Sequence, residues 1–149
     1  MLLDEAQTAV SDLLEALHES LDDYQENLQR LHNAEIAQAF NAAMNQRITI
    51  VDALEERIKS ELSLRPRAAD IEREDFHHLW SKLKSLVFDG QELMLQERAE
   101  QERQLLSMVA RCESFDYPES IEQQLEILHQ HLTEQLRQIK QFQQSESQP

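Results

Sequence analysis

The chain has 149 residues, 40% of them hydrophobic but only 5% aromatic, with one Gly and three Pro. So few breakers exclude a many-turned sheet protein and any glycine-rich phosphate loop. Fourteen basic against 29 acidic residues leave a net charge of −15, which repels nucleic acid and anionic membrane surfaces.

One domain is expected at this length. Cys112 is the only cysteine, so neither an intrachain disulfide nor a Cys-rich zinc site can form. The start, Met1-Leu2-Leu3-Asp4-Glu5, carries acids where a signal peptide carries bases. No apolar run approaches the ~20 residues of a membrane span. A cytoplasmic protein is expected.

The first helix is expected over residues 2–31. Val10, Leu14, Leu17, Leu21, Tyr24, Leu28 and Leu31 recur at steps of 4, 3, 4, 3, 4, 3. That spacing puts them on one seam of a helix. Asp12, Glu15, Glu19, Asp22, Asp23 and Glu26 fall off the seam. Asn33 is placed to cap a second helix over residues 34–63. Its seam is Phe40, Met44, Arg47, Val51, Leu54 and Ile58, with Ile36 and Leu62 at the ends. The short break between the two helices makes them antiparallel neighbours.

Pro66 ends the second helix and opens a crossover over residues 64–90. Within it, Ile71, Phe76, Leu79, Trp80, Leu83, Leu86 and Val87 share one broad face and read as a short helix. His77 and His78 point about 100° apart there and cannot both reach one ion; His78 is expected to pack beside Trp80. Asp89-Gly90 closes this helix, with Gly90 suited to a left-handed cap, and Asp89 with Glu92 reads as a capping box for the next. A third long helix, residues 91–111, has the seam Leu95, Ala99, Glu102, Leu106 and Val109. Asp116, Pro118 and Glu119 restart the chain into a fourth, residues 118–143. Its seam is Ile121, Leu125, Leu128, Leu132, Gln135, Ile139 and Phe142. Residues 144–149 offer nothing apolar to bury and are expected to be a disordered tail.

Four inward seams define an all-α four-helix bundle over residues 1–143. Two hairpins joined by a long crossover favour the ferritin-like order over up-down-up-down. Short motifs add a resemblance. Asp23-Tyr24, Phe40 with Gln46-Arg47, His78-x-Trp80-x-x-Leu83-Lys84 and Glu97-Arg98-Ala99-Glu100 occur in this order. In that series the chain, from about Leu13 to Lys140, resembles an uncharacterised bacterial family of ferritin-like four-helix-bundle proteins with no established activity. Asp23 and Ala99 stand where that family usually carries Gly.

Ferritin-like di-iron centres take a Glu from each of two helices and a Glu-x-x-His pair from each of the others, all facing inward. Two such pairs occur here, Glu15 with His18 and Glu126 with His129. Their register opposes that use. With Leu14, Leu17, Leu125 and Leu128 on the seams, Glu15 and Glu126 face outward, and His18 and His129 sit on the flanks. Solvated flank residues are therefore the expectation, and iron or manganese at these four residues is the alternative. The charged seam members carry more information. Arg47 and Glu102 both point inward, joined by Gln135, and a buried charge needs a partner. Either Arg47 pairs with a carboxylate, Glu102 being the first choice, or the two lie near a bundle end and reach water along their stems. Tyr24 is expected in the core with its hydroxyl bonded to a neighbour. Cys112 stands beside Glu113 with no adjacent base, a structural thiol rather than a nucleophile.

No catalytic constellation and no cofactor emerge. The pattern is that of a non-enzymatic bundle working through protein contacts, with a partner or with copies of itself. A divergent metal-binding oxidoreductase or metal store is the alternative.

Overall fold

The computed structural model describes residues 4–64 and 90–146. These form four helices and no strand: α1 (Glu5–Arg30), α2 (Ala34–Leu62), α3 (Gly90–Glu113) and α4 (Glu119–Glu146). At 1.5 Å per residue each is about 36–44 Å long. The expected crossover helix, with His77, His78 and Trp80, lies outside the described residues, as does Asp89.

The helix ends follow from local chemistry. Asp4 opens α1 with a reciprocal box: its Oδ1 accepts from the Gln7 amide at 2.7 Å, and the Gln7 side-chain oxygen accepts from the Asp4 amide at 3.2 Å. Asn33 opens α2 by accepting from the Ile36 amide at 3.1 Å. Ser63 closes α2 in the left-handed region, at φ 52° and ψ 32°. Two terminal expectations are corrected. Gly90 is not a left-handed cap; its φ is negative and it is the first residue of α3. Asp116 does not cap α4; the Pro118 carbonyl accepts from the Ile121 and Glu122 amides, and Glu122 Oε1 accepts from the Tyr117 amide at 3.4 Å. At the far end α4 continues to Glu146, three residues past the expected limit, because Gln and Glu favour helix even where nothing is buried.

The helices pack as a ring in the order α1–α2–α4–α3. Two apolar clusters fix their directions. One joins Val10–Leu17 of α1, Ile50–Ile58 of α2, Leu105–Cys112 of α3 and Ile121–Leu132 of α4. The other joins Tyr24, Ile36 and Phe40, Met94 and Leu95, and Ile139. The start of α1 thus lies with the end of α2, the end of α3 and the start of α4. Every ring neighbour is antiparallel, and α2 and α3 run parallel across the diagonal. α3 begins at the bundle end opposite to that where α2 stops.

Each helix has two neighbours, so the buried arc is wider than a single seam. Leu13, Ala43, Ile50, Met94 and Leu105 are buried beside the seam residues, while seam members Leu21, Met44 and Leu106 are only partly covered.

Candidate functional site

The two apolar clusters do not meet. Between Leu17 and Tyr24 on α1, and at the same level of the other helices, the interior turns polar. Three of the helices present side chains four residues apart, hence on one face: Ser20 and Tyr24 from α1, Arg98 and Glu102 from α3, and His131 and Gln135 from α4. α2 contributes Arg47. All seven are buried, Tyr24, Arg47 and Glu102 completely.

Arg47 is the hub. Its Nη1 donates to Glu102 Oε1 at 2.9 Å, and its Nη2 donates to Glu102 Oε2. This two-pronged match of guanidinium and carboxylate is the strongest ion-pair geometry side chains make. Nη1 also donates to Ser20 Oγ at 3.1 Å, and the Ser20 hydroxyl in turn donates to the Leu17 carbonyl at 2.6 Å. Arg47 Nε donates to His131 Nε2 at 3.1 Å.

That last bond fixes the state of His131. Nε2 can accept only when it carries no proton, so the proton of the neutral ring is on Nδ1. Burial first, and Arg47 second, push the imidazole down to about 4, so the ring is neutral near pH 7. Its Nδ1 is buried and finds no hydrogen-bond partner.

Glu102 is held ionised against its surroundings. Burial favours the neutral acid, but Arg47, and then Arg98, override it and keep the carboxyl below its usual range. Arg47 likewise is disfavoured by burial and raised by Glu102. Arg98 enters from one turn earlier on α3, with Nε 3.4 Å from Glu102 Oε1. The contact is close enough for an ion pair but is not aligned as a hydrogen bond, and Arg98 Nε and Nη2 have no hydrogen-bond partner. Both guanidiniums lie over the Tyr24 ring, with Cζ at 4.8 Å for Arg47 and 4.3 Å for Arg98 from its centroid. Tyr24 meets Phe40 edge to face at 5.4 Å. The expectation for its hydroxyl is corrected: it is buried without a hydrogen-bond partner. Burial first, then the Glu102 charge, push it up to about 12, so it stays neutral. The layer therefore holds two guanidiniums, one carboxylate and neutral His131 and Tyr24, a net charge of +1.

Arg47 and Glu102 thus meet at mid-bundle, not at an end open to water. The four flank residues do not meet. His18 Nε2 lies 3.2 Å from Glu55 Oε1 across the α1–α2 groove, with its side chain 41% exposed. His129 Nδ1 lies 2.9 Å from Glu113 Oε1 on the α3–α4 side, 46% exposed. Glu15 is half-buried, and Glu126 is exposed, accepting from Gln130 at 3.3 Å. Among the described residues, no three His, Cys, Asp or Glu side chains converge as a metal would require. Cys112 is fully buried, and burial pushes its thiol up to about 11.

Sequence reasoning missed Arg98, His131 and Ser20. Arg98 stands four residues before seam Glu102, a spacing that was readable. His131 adjoins seam Leu132, at a position where a polar side chain ordinarily faces water.

No protein-family model, characterised protein or solved structure in the comparisons matches the chain.

Proposed function

We propose that this chain is a non-enzymatic helical-bundle module that works through protein contacts, with a partner or with further copies of itself, in the cytoplasm. Its helices run up, down, down, up, the order of ferritin-like bundles with one long crossover. The observation that carries the reading is the content of the central layer. Where di-iron bundles gather carboxylates and imidazoles around cations, this bundle places two guanidiniums and a single carboxylate. A net positive centre repels metal cations. The carboxylate oxygens are taken by Arg47, and His131 accepts a proton donor with the nitrogen a metal would use. Such a layer fixes which helix faces which, because any other register leaves a charge buried alone. The acidic exterior opposes nucleic acid and suits protein surfaces as partners.

Two measurements test this together. After loading with iron or manganese and desalting, the protein should retain less than stoichiometric metal. Sizing over a wide concentration range should reveal self-association, or a partner should be captured by the intact chain. Stoichiometric metal lost on replacing Glu15, His18, Glu126 and His129 would overturn the proposal.

A further inference from the structure

α2 packs against α1 and α4 and turns its remaining face outward. Over residues 36–51 that face carries no charge. Arg47 is the only ionisable side chain in the stretch, and it is buried in the central layer. Beyond it the same helix resumes exposed charges at Asp52, Glu56, Arg57 and Lys59. The outward faces of α3 and α4 are charged as well, with Glu92, Glu100 and Arg103 on one and Glu122 and Glu126 on the other. Helix propensity does not account for the neutral stretch, because Glu and Lys favour helix more than Asn or Thr do. Its outermost row is Gln38, Ala42, Asn45 and Thr49, all exposed and spaced 4, 3, 4. Thr49 Oγ1 donates to the Asn45 carbonyl at 3.4 Å, which keeps its hydroxyl within the helix. Ile48, one of two large apolar side chains left exposed among the described residues, borders the row.

We infer, on the reading that the bundle works through protein contacts, that this face of α2 docks a second copy of the chain, α2 against α2, antiparallel about a twofold axis between Ala42 and Asn45. Charge selects the occupant. At physiological salt, charges more than ~8 Å apart are largely screened. The net charge of −15 therefore does not forbid pairing, whereas like charges brought into contact oppose it. In a twofold pair each patch meets its own copy. An acidic patch then meets like charge, and this one does not. A partner of opposite charge would be drawn to an acidic face instead. The pairing also fits in shape: Ala42 lies opposite Asn45 of the other copy, and Gln38 opposite Thr49, a smaller side chain against a larger one at each level. The stretch is about 24 Å long. A contact of that size belongs with the small, weak interfaces, with Kd on the order of 10–100 μM.

Sedimentation equilibrium of the full chain, from about 10 μM to about 1 mM at about 0.15 M salt, should show a monomer–dimer equilibrium. Ala42→Glu combined with Asn45→Glu should weaken it by about tenfold or more, as should Ala42→Lys combined with Asn45→Lys. Mixing the two charge variants should restore association, because unlike charges then face each other across the axis. Thr133→Glu, at an exposed site on α4, should leave the wild-type Kd unchanged. An unchanged urea midpoint shows that each variant folds; should either double variant not fold, Asn45→Glu and Asn45→Lys take their place. A wild-type monomer throughout the range, self-association untouched by the charge variants, or a mixture that associates no more tightly than its parts would overturn the inference. A monomer that retains no metal and captures a different protein would do so too, while leaving the proposed function standing.

Discussion

Two cations share one anion in the central layer, and this arithmetic fixes an order of mutational costs. Glu102→Gln keeps shape but removes the only negative charge, leaving Arg47 and Arg98 buried without a counter-ion. Breaking a buried pair from one side costs about 3–5 kcal/mol, and at a domain size near 150 residues this lowers Tm by roughly 6–20 °C. Arg47→Met leaves Glu102 with Arg98, already 3.4 Å away, so a matched pair survives. Its cost is about 1–3 kcal/mol, from the partners left at Ser20 and His131. Arg98→Met removes the surplus charge and keeps an apolar stem against Tyr24, and should change stability by less than about 1 kcal/mol or increase it. Urea unfolding of the three variants, compared at unchanged m-value, measures the series. Equal costs, or an Arg98→Met cost matching that of Glu102→Gln, would refute the charge count on which the reasoning stands.

Acid should weaken the fold earlier than carboxylates alone would dictate. His131 drops from 6.5 in the unfolded chain to about 4 in the bundle. Between those limits the unfolded state binds the extra proton, so stability present above pH 6.5 is lost progressively down to pH 4, about 3 kcal/mol in all. The urea midpoint should therefore slope between pH 6.5 and 4.5 in the wild-type protein and flatten in His131→Gln; parallel profiles would contradict the assignment. Cys112, pushed up to about 11 by burial, should react with a disulfide reagent at pH 8 only as fast as the chain opens, and at the rate of a free thiol in urea. Asn33→Ala should cost about 1 kcal/mol through its lost cap on α2, with Asn33→Asp restoring most of it.

The helices were legible because their information is local and repeated. Steps of three and four place Val10, Leu14 and Leu17 on one face whatever lies opposite, and the cap at Asn33 needs only its own next turn. The width of the core was less legible. Leu13 and Leu105 are buried because each helix touches two others, a fact set by the ring and not by any one helix. The charged layer was half legible. Arg47 and Glu102 interrupt otherwise apolar seams, and that interruption is a signal. Arg98 and His131 sit beside their seams, where charged residues ordinarily face water, and only the convergence of four helices makes those positions interior. The flank pairs Glu15–His18 and Glu126–His129 show the converse. A motif spacing occurs by chance in so acidic a chain, and the leucine register decides its direction.

The central claim is that Arg47 is locked and desolvated at mid-bundle by Glu102, Ser20 and His131. Nitrogen-detected NMR of the arginine side chains tests it most directly, with exposed Arg103 and Arg137 as internal references. Arg47 should show separate, slowly exchanging Nη proton signals at pH 7 that vanish in Glu102→Gln. Averaged, fast-exchanging signals like those of Arg103 would contradict the account.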